Sequence, residues 1–199
     1  MSGTGLVAIL RGVTPDEVLA LGEVLVDAGF AGIEVPLNSP DPFTSVQRLA
    51  ERYGDRALIG AGTVLTAPDV RRAADAGARI IVAPNTDREV IGQAVDLGLR
   101  PYPGVATATE AFTAIAAGAR SLKLFPSDAV GISAMKAWRA VLPADVELLP
   151  VGGVDTGNLG DWAAAGAGGA GLGSCLYRPG DGAAVVADRA RELARAWSA

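Results

Sequence analysis

The amino-acid sequence predicts an α/β protein of the (β/α)8 TIM-barrel class, with residues 1–199 forming a single domain. Short apolar runs alternate along the whole chain with longer segments that have helical periodicity. The runs are continuously apolar, which is typical of parallel strands that are buried on both faces. The helical segments end on glycines, and the spacing of roughly 20 to 30 residues between successive strands is that of a repeated βα unit.

Eight apolar runs are the predicted strands. They span residues 6–10, 32–37, 57–64, 79–84, 99–104, 121–126, 146–153 and 170–176. Eight strands that are each followed by a helix indicate a parallel sheet, and closure of that sheet into a barrel is the most economical interpretation. The length of 199 residues lies at the lower end of the range for this fold. An open, doubly wound sheet of eight strands fits the same pattern and stays open as an alternative.

The helix boundaries are predicted from capping residues. In residues 14–17, a threonine at the N-cap is followed by a proline at the first helical position and a glutamate at the third, which favours a helix start. Val18, Leu21 and Leu25 then form one apolar face. Gly29 ends this helix, and equivalent stops follow at Gly77, Gly98, Gly118 and Gly166.

The composition excludes several kinds of catalytic site. The chain has no histidine and one cysteine, and only two of its 17 basic residues, Lys123 and Lys136, are lysines. Without histidine there is no Ser-His-Asp or Cys-His nucleophile, no imidazole base and no zinc site with histidine ligands. A single cysteine excludes an intrachain disulfide and a cysteine metal cluster. Carboxylates, lysine, hydroxyls and backbone amides are therefore the groups left for catalysis.

Net charge and hydropathy indicate which partners and which cellular location to expect. The net charge of −5 argues against a nucleic-acid partner or an anionic membrane surface. The first residues contain no charged start and no apolar signal run, and no apolar stretch approaches the length of a membrane span. We expect a cytoplasmic protein that binds neither nucleic acid nor membrane.

Lys123 is the strongest candidate for a catalytic residue. In a barrel, functional residues lie at the carboxyl ends of the strands, and Lys123 stands between Leu122 and Leu124 in the sixth predicted strand. Strand alternation directs both leucines towards the helices and Lys123 towards the interior, together with Ser121 and Phe125. Burial lowers the pKa of a lysine, and a neutral amine beside a carbonyl substrate forms a Schiff base. The alternative is a lysine whose ammonium group reaches solvent at the strand end.

Glu34 and Arg11 are two further candidates at strand ends. Ile33, Val35 and Leu37 leave Glu34 on the opposite face of the second strand, which in a barrel is the interior. A buried carboxylate close to a lysine is either a structural ion pair or an acid/base partner. Arg11 follows the first strand, where its guanidinium group could bind a carboxylate or a phosphate. A strand-end arginine at the surface is the alternative.

Two pairs of small residues follow the last two predicted strands. Gly152-Gly153 and Gly173-Ser174 occupy the place where many barrels bind phosphate, and their backbone amides could hold a phosphoryl group. Residues 166–171 also fit a G-x-G-x-x-G pattern. We reject a dinucleotide site there because these glycines precede a strand, whereas a dinucleotide motif follows one.

Seven stretches of the sequence, taken in order, resemble a known family. They are AILRG (8–12), GIEVP (32–36), IGAGTV (59–64), ATATE (106–110), LKLFP (122–126), VGGV (151–154) and GAGLGS (169–174), and they extend over nearly the whole chain. These stretches are similar to the KDPG/KHG family of class I aldolases, which cleave 2-keto-3-deoxy-6-phospho sugar acids and release pyruvate. The resemblance implies a homotrimer that needs neither a metal nor another cofactor.

The resemblance also implies roles for individual residues. The Schiff-base lysine would be Lys123, and the general acid/base would be Glu34. The residues that bind the carboxylate end of the substrate would be Arg11 and Thr63, and those that pack around the pyruvyl group would be Pro84 and Phe125. The residues that hold the phosphate would be Gly152, Gly153, Gly173 and Ser174.

Within this family, residues 35–40 (VPLNSP) resemble the branch that acts on the 6-phosphogalactonate acid. The branch for the gluconate epimer typically has an arginine four residues after the catalytic glutamate, where this chain has Asn38. The resemblance thus implies reversible cleavage of 2-dehydro-3-deoxy-6-phosphogalactonate to pyruvate and D-glyceraldehyde 3-phosphate. Three alternatives stay open: an aldolase for the gluconate epimer or other 2-keto acids, a non-catalytic phosphosugar-binding barrel, and a phosphosugar isomerase or epimerase.

Overall fold

The computed structural model describes residues 5–198, which form nine strands and eight helices. The strands are β1 (Gly5–Ile9), β2 (Gly32–Pro36), β3 (Leu58–Gly62), β4 (Ile80–Val82), β5 (Arg100–Tyr102), β6 (Gly104–Val105), β7 (Ser121–Leu124), β8 (Glu147–Pro150) and β9 (Gly169–Leu172). The helices are α1 (Val18–Asp27), α2 (Pro42–Tyr53), α3 (Ala67–Asp75), α4 (Arg88–Asp96), α5 (Ala108–Ala116), α6 (Ser127–Arg139), α7 (Leu159–Ala164) and α8 (Ala183–Ser198). None of these helices of the described chain is both long and apolar enough to cross a membrane.

The strands form two hydrogen-bonded sheets in which every pairing is parallel, so the prediction of an α/β protein with parallel strands is confirmed. One sheet has the order β5-β4-β3-β2-β1-β9, and the other has the order β6-β7-β8. The sheets meet at two places. An isolated bridge joins Val151, just after β8, to Gly171 in β9, and Pro103 alone separates β5 from β6. The result is a curled parallel sheet whose ladder is interrupted at these places, instead of the uninterrupted ladder of the predicted barrel.

The fifth predicted strand, residues 99–104, is divided by Pro103, which is why nine strands replace the predicted eight. Proline has no N–H group and cannot donate to a ladder. Its carbonyl oxygen still accepts a 2.9 Å hydrogen bond from the N–H group of Lys123 in β7. Because β5 pairs with β4 and β6 pairs with β7, this one predicted strand lies at the junction of the two sheets.

The sheets bury apolar side chains on both faces. Ile33 and Val35 of β2 pack into the main core together with residues of the helices. On the other face, a smaller inner cluster is formed by Val7, Ile80, Val82, Tyr102 and Leu149. Two buried faces explain why the strand sequences are continuously apolar. The inner cluster also forms the base of the space in which the candidate site lies.

The five glycines predicted to end helices all have positive φ angles, for example 85° at Gly29 and 107° at Gly118. Residues with a side chain rarely adopt this conformation, whereas glycine adopts it readily. The predicted helix stops are therefore confirmed, and each glycine turns the chain back towards the following strand.

The first helix begins later than predicted. α1 starts at Val18, because residues 14–17 form a separate turn before it. In that turn the Glu17 carboxylate accepts hydrogen bonds from the backbone N–H group (3.0 Å) and from the hydroxyl group (2.6 Å) of Thr14. The Thr14 hydroxyl therefore donates to Glu17 instead of accepting from the first amides of a helix.

Candidate active site

Two adjoining cavities lie at the carboxyl ends of the strands. The inner cavity, of about 20 Å³, is lined by Glu34, Lys123 and apolar side chains of the inner cluster. The outer cavity, of about 360 Å³, is lined by residues of the loops that follow β1, β8 and β9. Ile9, Val151 and Gly171 line both cavities. A ligand that fills the outer cavity therefore lies next to Glu34 and Lys123.

Lys123 lies in the interior, as strand alternation predicts. Its side chain is 7% exposed, and its neighbours Leu122 and Leu124 are fully buried in the main core. The Nζ atom lies 4.4 Å from the centroid of the Phe125 ring. The structure thus differs from the alternative in which the ammonium group reaches solvent at the strand end.

The surroundings of Lys123 favour its neutral form. Burial has the largest influence on the pKa of Lys123, and it lowers that pKa. The charge of Arg11 also lowers the pKa, whereas the charge of Glu34 raises it. The net effect is a pKa below the ordinary value for lysine. The Phe125 ring acts in the opposite direction, because an aromatic face stabilises a nearby ammonium group. A lowered pKa increases the fraction of neutral amine, which is the nucleophilic form.

Glu34 is a buried carboxyl group with an unused acceptor. Its side chain is 2% exposed, and its Oε2 atom has no hydrogen-bond partner among the described residues. Burial raises the pKa of Glu34 to about 7, against the opposing charges of Lys123 and Arg11. None of the ion pairs within residues 5–198 joins Glu34 to Lys123. A carboxyl group with a pKa near 7 can both accept and return a proton at neutral pH.

Arg11 is fixed in place by residues from two other loops. Its Nη1 atom donates a hydrogen bond to Asn38 Oδ1 (2.6 Å) and a weaker one to Thr63 Oγ1 (3.5 Å). The N–H group of the next residue, Gly12, donates to Ser39 Oγ (2.9 Å). Thr63 itself has a φ angle of 56°, a left-handed conformation that is costly for a β-branched residue and that is found mostly at functional sites. The loops after β1, β2 and β3 are thus held together around the Arg11 guanidinium group.

The four small residues predicted to hold phosphate all line the outer cavity. Within residues 5–198, no protein group accepts a hydrogen bond from the N–H groups of Gly153 or Ser174. The carbonyl groups of this loop are engaged: Ser127 Oγ donates to Gly152 O (2.5 Å), and Asn158 Nδ2 donates to Gly153 O (2.7 Å). The glycine pair is therefore fixed through its carbonyls, while the amides of Gly153 and Ser174 remain free to bind an anion.

The other predicted site residues, Phe125, Thr63 and Pro84, differ in whether they line the cavities. Phe125 lines the outer cavity beside Lys123. Pro84 follows β4, and its carbonyl lies so close to Gly104 that a Cβ atom on residue 104 would overlap it. Neither Thr63 nor Pro84 lines either of these two cavities. Thr63 is connected to the site through its 3.5 Å hydrogen bond with Arg11.

The outer cavity also contains residues that the sequence did not single out. Tyr177, Arg178 and Pro179, in the loop after β9, form one wall of it, and Val154 follows the glycine pair on another. The strand pattern ends before this loop, so periodicity offered no indication of its course. In the described part of the chain, no group of three or more His, Cys, Asp or Glu side chains could hold a metal ion.

The site holds a buried amine of lowered pKa beside a carboxyl group, near a loop with free amides. A Schiff-base aldolase needs this arrangement. The chain belongs to the KDPG and KHG aldolase family, whose family model matches residues 1–185.

The chain is similar to two bacterial aldolases. It is 51% identical over 192 residues to the 2-dehydro-3-deoxy-6-phosphogalactonate aldolase of Escherichia coli (strain K12), a match that covers 96% of this chain and 94% of that one. It is 48% identical over 194 residues to the probable 2-dehydro-3-deoxy-6-phosphogalactonate aldolase of Rhizobium meliloti (strain 1021), covering 98% and 92% of the two chains. A solved structure described as "Native KDPGal structure" superimposes with a TM-score of 0.95 and 51% identity over 97% of this chain and 94% of that chain.

Proposed function

We propose that this protein is a class I aldolase that reversibly cleaves 2-dehydro-3-deoxy-6-phosphogalactonate to pyruvate and D-glyceraldehyde 3-phosphate. The observation that carries this proposal is the shared cavity of Lys123, whose pKa is lowered, and Glu34, whose Oε2 atom is unpartnered. The identities of 51% and 48% to relatives that are named for this activity support the choice of substrate.

Lys123 is the nucleophile in this proposal. The neutral Nζ atom attacks the C2 ketone of the substrate. The resulting carbinolamine takes up one proton and loses water, which leaves a protonated imine; that proton is released again when the imine is hydrolysed. The imine nitrogen then accepts the electron pair of the C3–C4 bond when that bond breaks. No metal or other cofactor is needed, because the iminium group is itself the electron sink.

Glu34 moves the protons of the reaction. Its carboxylate removes the proton of the C4 hydroxyl group as the C3–C4 bond breaks, which releases the aldehyde and leaves an enamine on Lys123. Reprotonation of the enamine at C3, followed by hydrolysis of the imine, frees pyruvate and restores the amine. The inner cavity of about 20 Å³ has room for one water molecule beside Glu34, which supports a relay of the proton through water.

The remaining predicted residues bind the two ends of the substrate. Arg11 and Thr63 hold the carboxylate, and Pro84 and Phe125 pack around the pyruvyl group. The phosphate lies at the other end of the outer cavity, against Gly152, Gly153, Gly173 and Ser174. The engagement of the loop carbonyls by Ser127 and Asn158 supports this assignment.

The two sheets together constitute one (β/α)8 barrel in a single domain. The bridge between Val151 and Gly171 and the continuity of the chain through Pro103 support closure at both seams. The likeness to the aldolase family further suggests a homotrimer that acts in the cytoplasm, where phosphorylated sugar acids are metabolised.

The strongest competing function is cleavage of the gluconate epimer, which differs only in the configuration at C4. Asn38 stands where that branch of the family has an arginine, and it accepts a hydrogen bond from Arg11, which favours the galactonate substrate. A barrel that only binds phosphosugars would have Lys123 and Glu34 as a structural ion pair, and the unpartnered Oε2 atom argues against that arrangement.

A comparison of pyruvate release from the two epimers tests the proposal. Both purified acids are supplied to the protein at equal concentration, and pyruvate is measured continuously with a coupled dehydrogenase. The expected result is a higher kcat/KM for the galactonate acid. A higher value for the gluconate acid would assign the protein to the other epimer, and thermal stabilisation by both acids without pyruvate release would make it a binding protein.

A further inference from the structure

We propose that Arg178 binds the phosphate of the substrate and supplies the positive charge that the surrounding amides lack. This inference rests on the proposed function, because it concerns the phosphorylated end of that substrate. Arg178 lies in the loop after β9 and lines the outer cavity together with Gly152, Gly153 and Ser174.

The loop that carries Arg178 is tied to the candidate phosphate site. The Nε atom of Arg178 donates a hydrogen bond to the carbonyl oxygen of Ser174 (3.2 Å), the residue whose own N–H group is free. The backbone N–H group of Arg178 donates to Asp181 Oδ2 (2.9 Å). Both ends of the residue are thus anchored, and its guanidinium group is held at the Ser174 carbonyl group.

The charge of Arg178 remains available to a ligand. Asp181, the nearby acid, forms its ion pair with Arg189, whose Nη1 atom lies 2.5 Å from Asp181 Oδ2 and also donates to the carbonyl of Leu176 (3.2 Å). Within residues 5–198, no protein group accepts a hydrogen bond from either Nη atom of Arg178. Since Arg178 is exposed, these two donors can turn towards an anion in the cavity.

A phosphate ester needs such a charge at this place. It carries a charge of about −1.5 to −2 at neutral pH, whereas backbone amides contribute only dipoles. The basic residues that line the outer cavity are Arg11 and Arg178, and Arg11 is already engaged with Asn38 and Thr63. Asp128 adds an unfavourable negative charge, because its Cβ atom would lie 2.7 Å from a Cβ placed on Gly153.

The planar guanidinium group suits this task better than an ammonium group, because it offers two parallel donors to phosphate oxygens. Arg178 should therefore determine the preference for phosphorylated over unphosphorylated substrates, while contributing little to the chemistry at Lys123. A merely structural role would instead affect both kinds of substrate equally.

The experiment compares Arg178→Met and Arg178→Lys with the wild type and with Arg195→Met. Arg195, an exposed residue of α8 that lines neither cavity, is the matched control for removal of one positive charge. Each variant is assayed with the phosphorylated substrate and with the same acid lacking the phosphate, and inorganic phosphate is tested as a competitive inhibitor. Thermal melting of each variant shows whether it is folded.

For Arg178→Met we expect KM for the phosphorylated acid to rise on the order of tenfold, the effect of one charge-assisted hydrogen bond at an exposed position. The inhibition constant of inorganic phosphate should rise by a similar factor, and kcat and the KM for the unphosphorylated acid should stay within about twofold of the wild type. Arg178→Lys should fall between the wild type and Arg178→Met, and Arg195→Met should resemble the wild type.

Equal changes for both substrates, or an unchanged inhibition constant for phosphate in Arg178→Met, would overturn the role of Arg178. Failure of the wild type to release pyruvate from either acid would instead contradict the proposed function. In that case phosphate binding, measured by calorimetry with the wild type and Arg178→Met, still tests Arg178. If Arg178→Met does not fold, Arg178→Lys decides through the same substrate comparison.

Discussion

Gly62 lies against the carboxyl group of Glu34, so closely that a Cβ atom on residue 62 would overlap that group. The two residues belong to adjacent parallel strands, β3 and β2. The absence of a side chain at residue 62 therefore makes room for a buried carboxyl group in the inner cavity, and the position of Glu34 depends on a glycine in the neighbouring strand.

Substitution of Gly62 by alanine should displace Glu34 and impair the enzyme. We expect a loss of about 1–3 kcal/mol in the free energy of unfolding, as for other overpacked sites, together with a large fall in kcat. Urea denaturation and steady-state assays measure both effects.

Gly92→Ala is the matched control, because a Cβ atom on residue 92 of α4 meets nothing within 4 Å. It should stabilise the helix by about 0.5–1 kcal/mol without changing kcat. A Gly62→Ala variant with unchanged kcat would show that the position of Glu34 does not matter.

The pKa of about 7 at Glu34 predicts the pH dependence of cleavage. The carboxylate is the form that accepts the C4 hydroxyl proton, so kcat/KM should fall as the pH drops through about 7. Glu34→Gln should lose this limb of the profile and should lower kcat by roughly 100- to 10,000-fold, the usual contribution of a general base. The measurement is the pH profile of kcat/KM for both proteins. If the Glu34→Gln profile keeps the same limb, another group is responsible for it.

The same raised pKa predicts an effect of pH on stability. In the unfolded chain the Glu34 carboxyl ionises near its ordinary value of 4.5, whereas in the folded protein it ionises near 7. Its contribution to stability is thus fully present below pH 4.5 and is lost as the pH rises through 7. The difference corresponds to roughly 3 kcal/mol. Glu34→Gln, which stays neutral, should therefore gain stability relative to the wild type over this range in urea denaturation. Parallel stability curves for the two proteins would contradict the buried, pH-sensitive carboxyl group.

The hydrogen bond between Arg11 and Asn38 predicts that these residues act as a unit. Asn38→Ala should lower kcat/KM about tenfold, because Arg11 loses its 2.6 Å partner. In an Arg11→Ala background, the same Asn38 substitution should have almost no further effect, since coupled residues are not additive. Arg56→Ala is the control, as Arg56 pairs with Asp27 on the surface with half of its side chain exposed. Equal effects of Asn38→Ala in both backgrounds would mean that Asn38 acts independently of Arg11.

Periodicity predicted the features of the fold that repeat along the chain. The apolar runs locate the parallel strands, and the glycine stops are all in the left-handed conformation. The division of the fifth strand depends instead on Pro103, which fits the apolar pattern although it cannot donate a hydrogen bond. The late start of α1 depends on which of two groups the Thr14 hydroxyl contacts, a choice that the capping pattern leaves open.

The candidate site was predictable where strand alternation sets the direction of a side chain. Lys123 and Glu34 are placed in the interior by their apolar neighbours, and both line the inner cavity. Alternation does not extend into loops, so the contact between Arg11 and Asn38 and the position of Arg178 required the three-dimensional structure. Arg11 and Asn38 are 27 residues apart in the sequence, so no local pattern predicts their contact.

The central claim, that Lys123 forms a Schiff base with pyruvate, is tested most directly by borohydride trapping. The wild type and Lys123→Ala are each incubated with pyruvate, reduced with borohydride and digested, and the peptides are analysed by mass spectrometry. We predict a reduced pyruvate adduct on the peptide that contains Lys123 in the wild type and no adduct in Lys123→Ala. No adduct in the wild type, or the same adduct in Lys123→Ala, would contradict the mechanism.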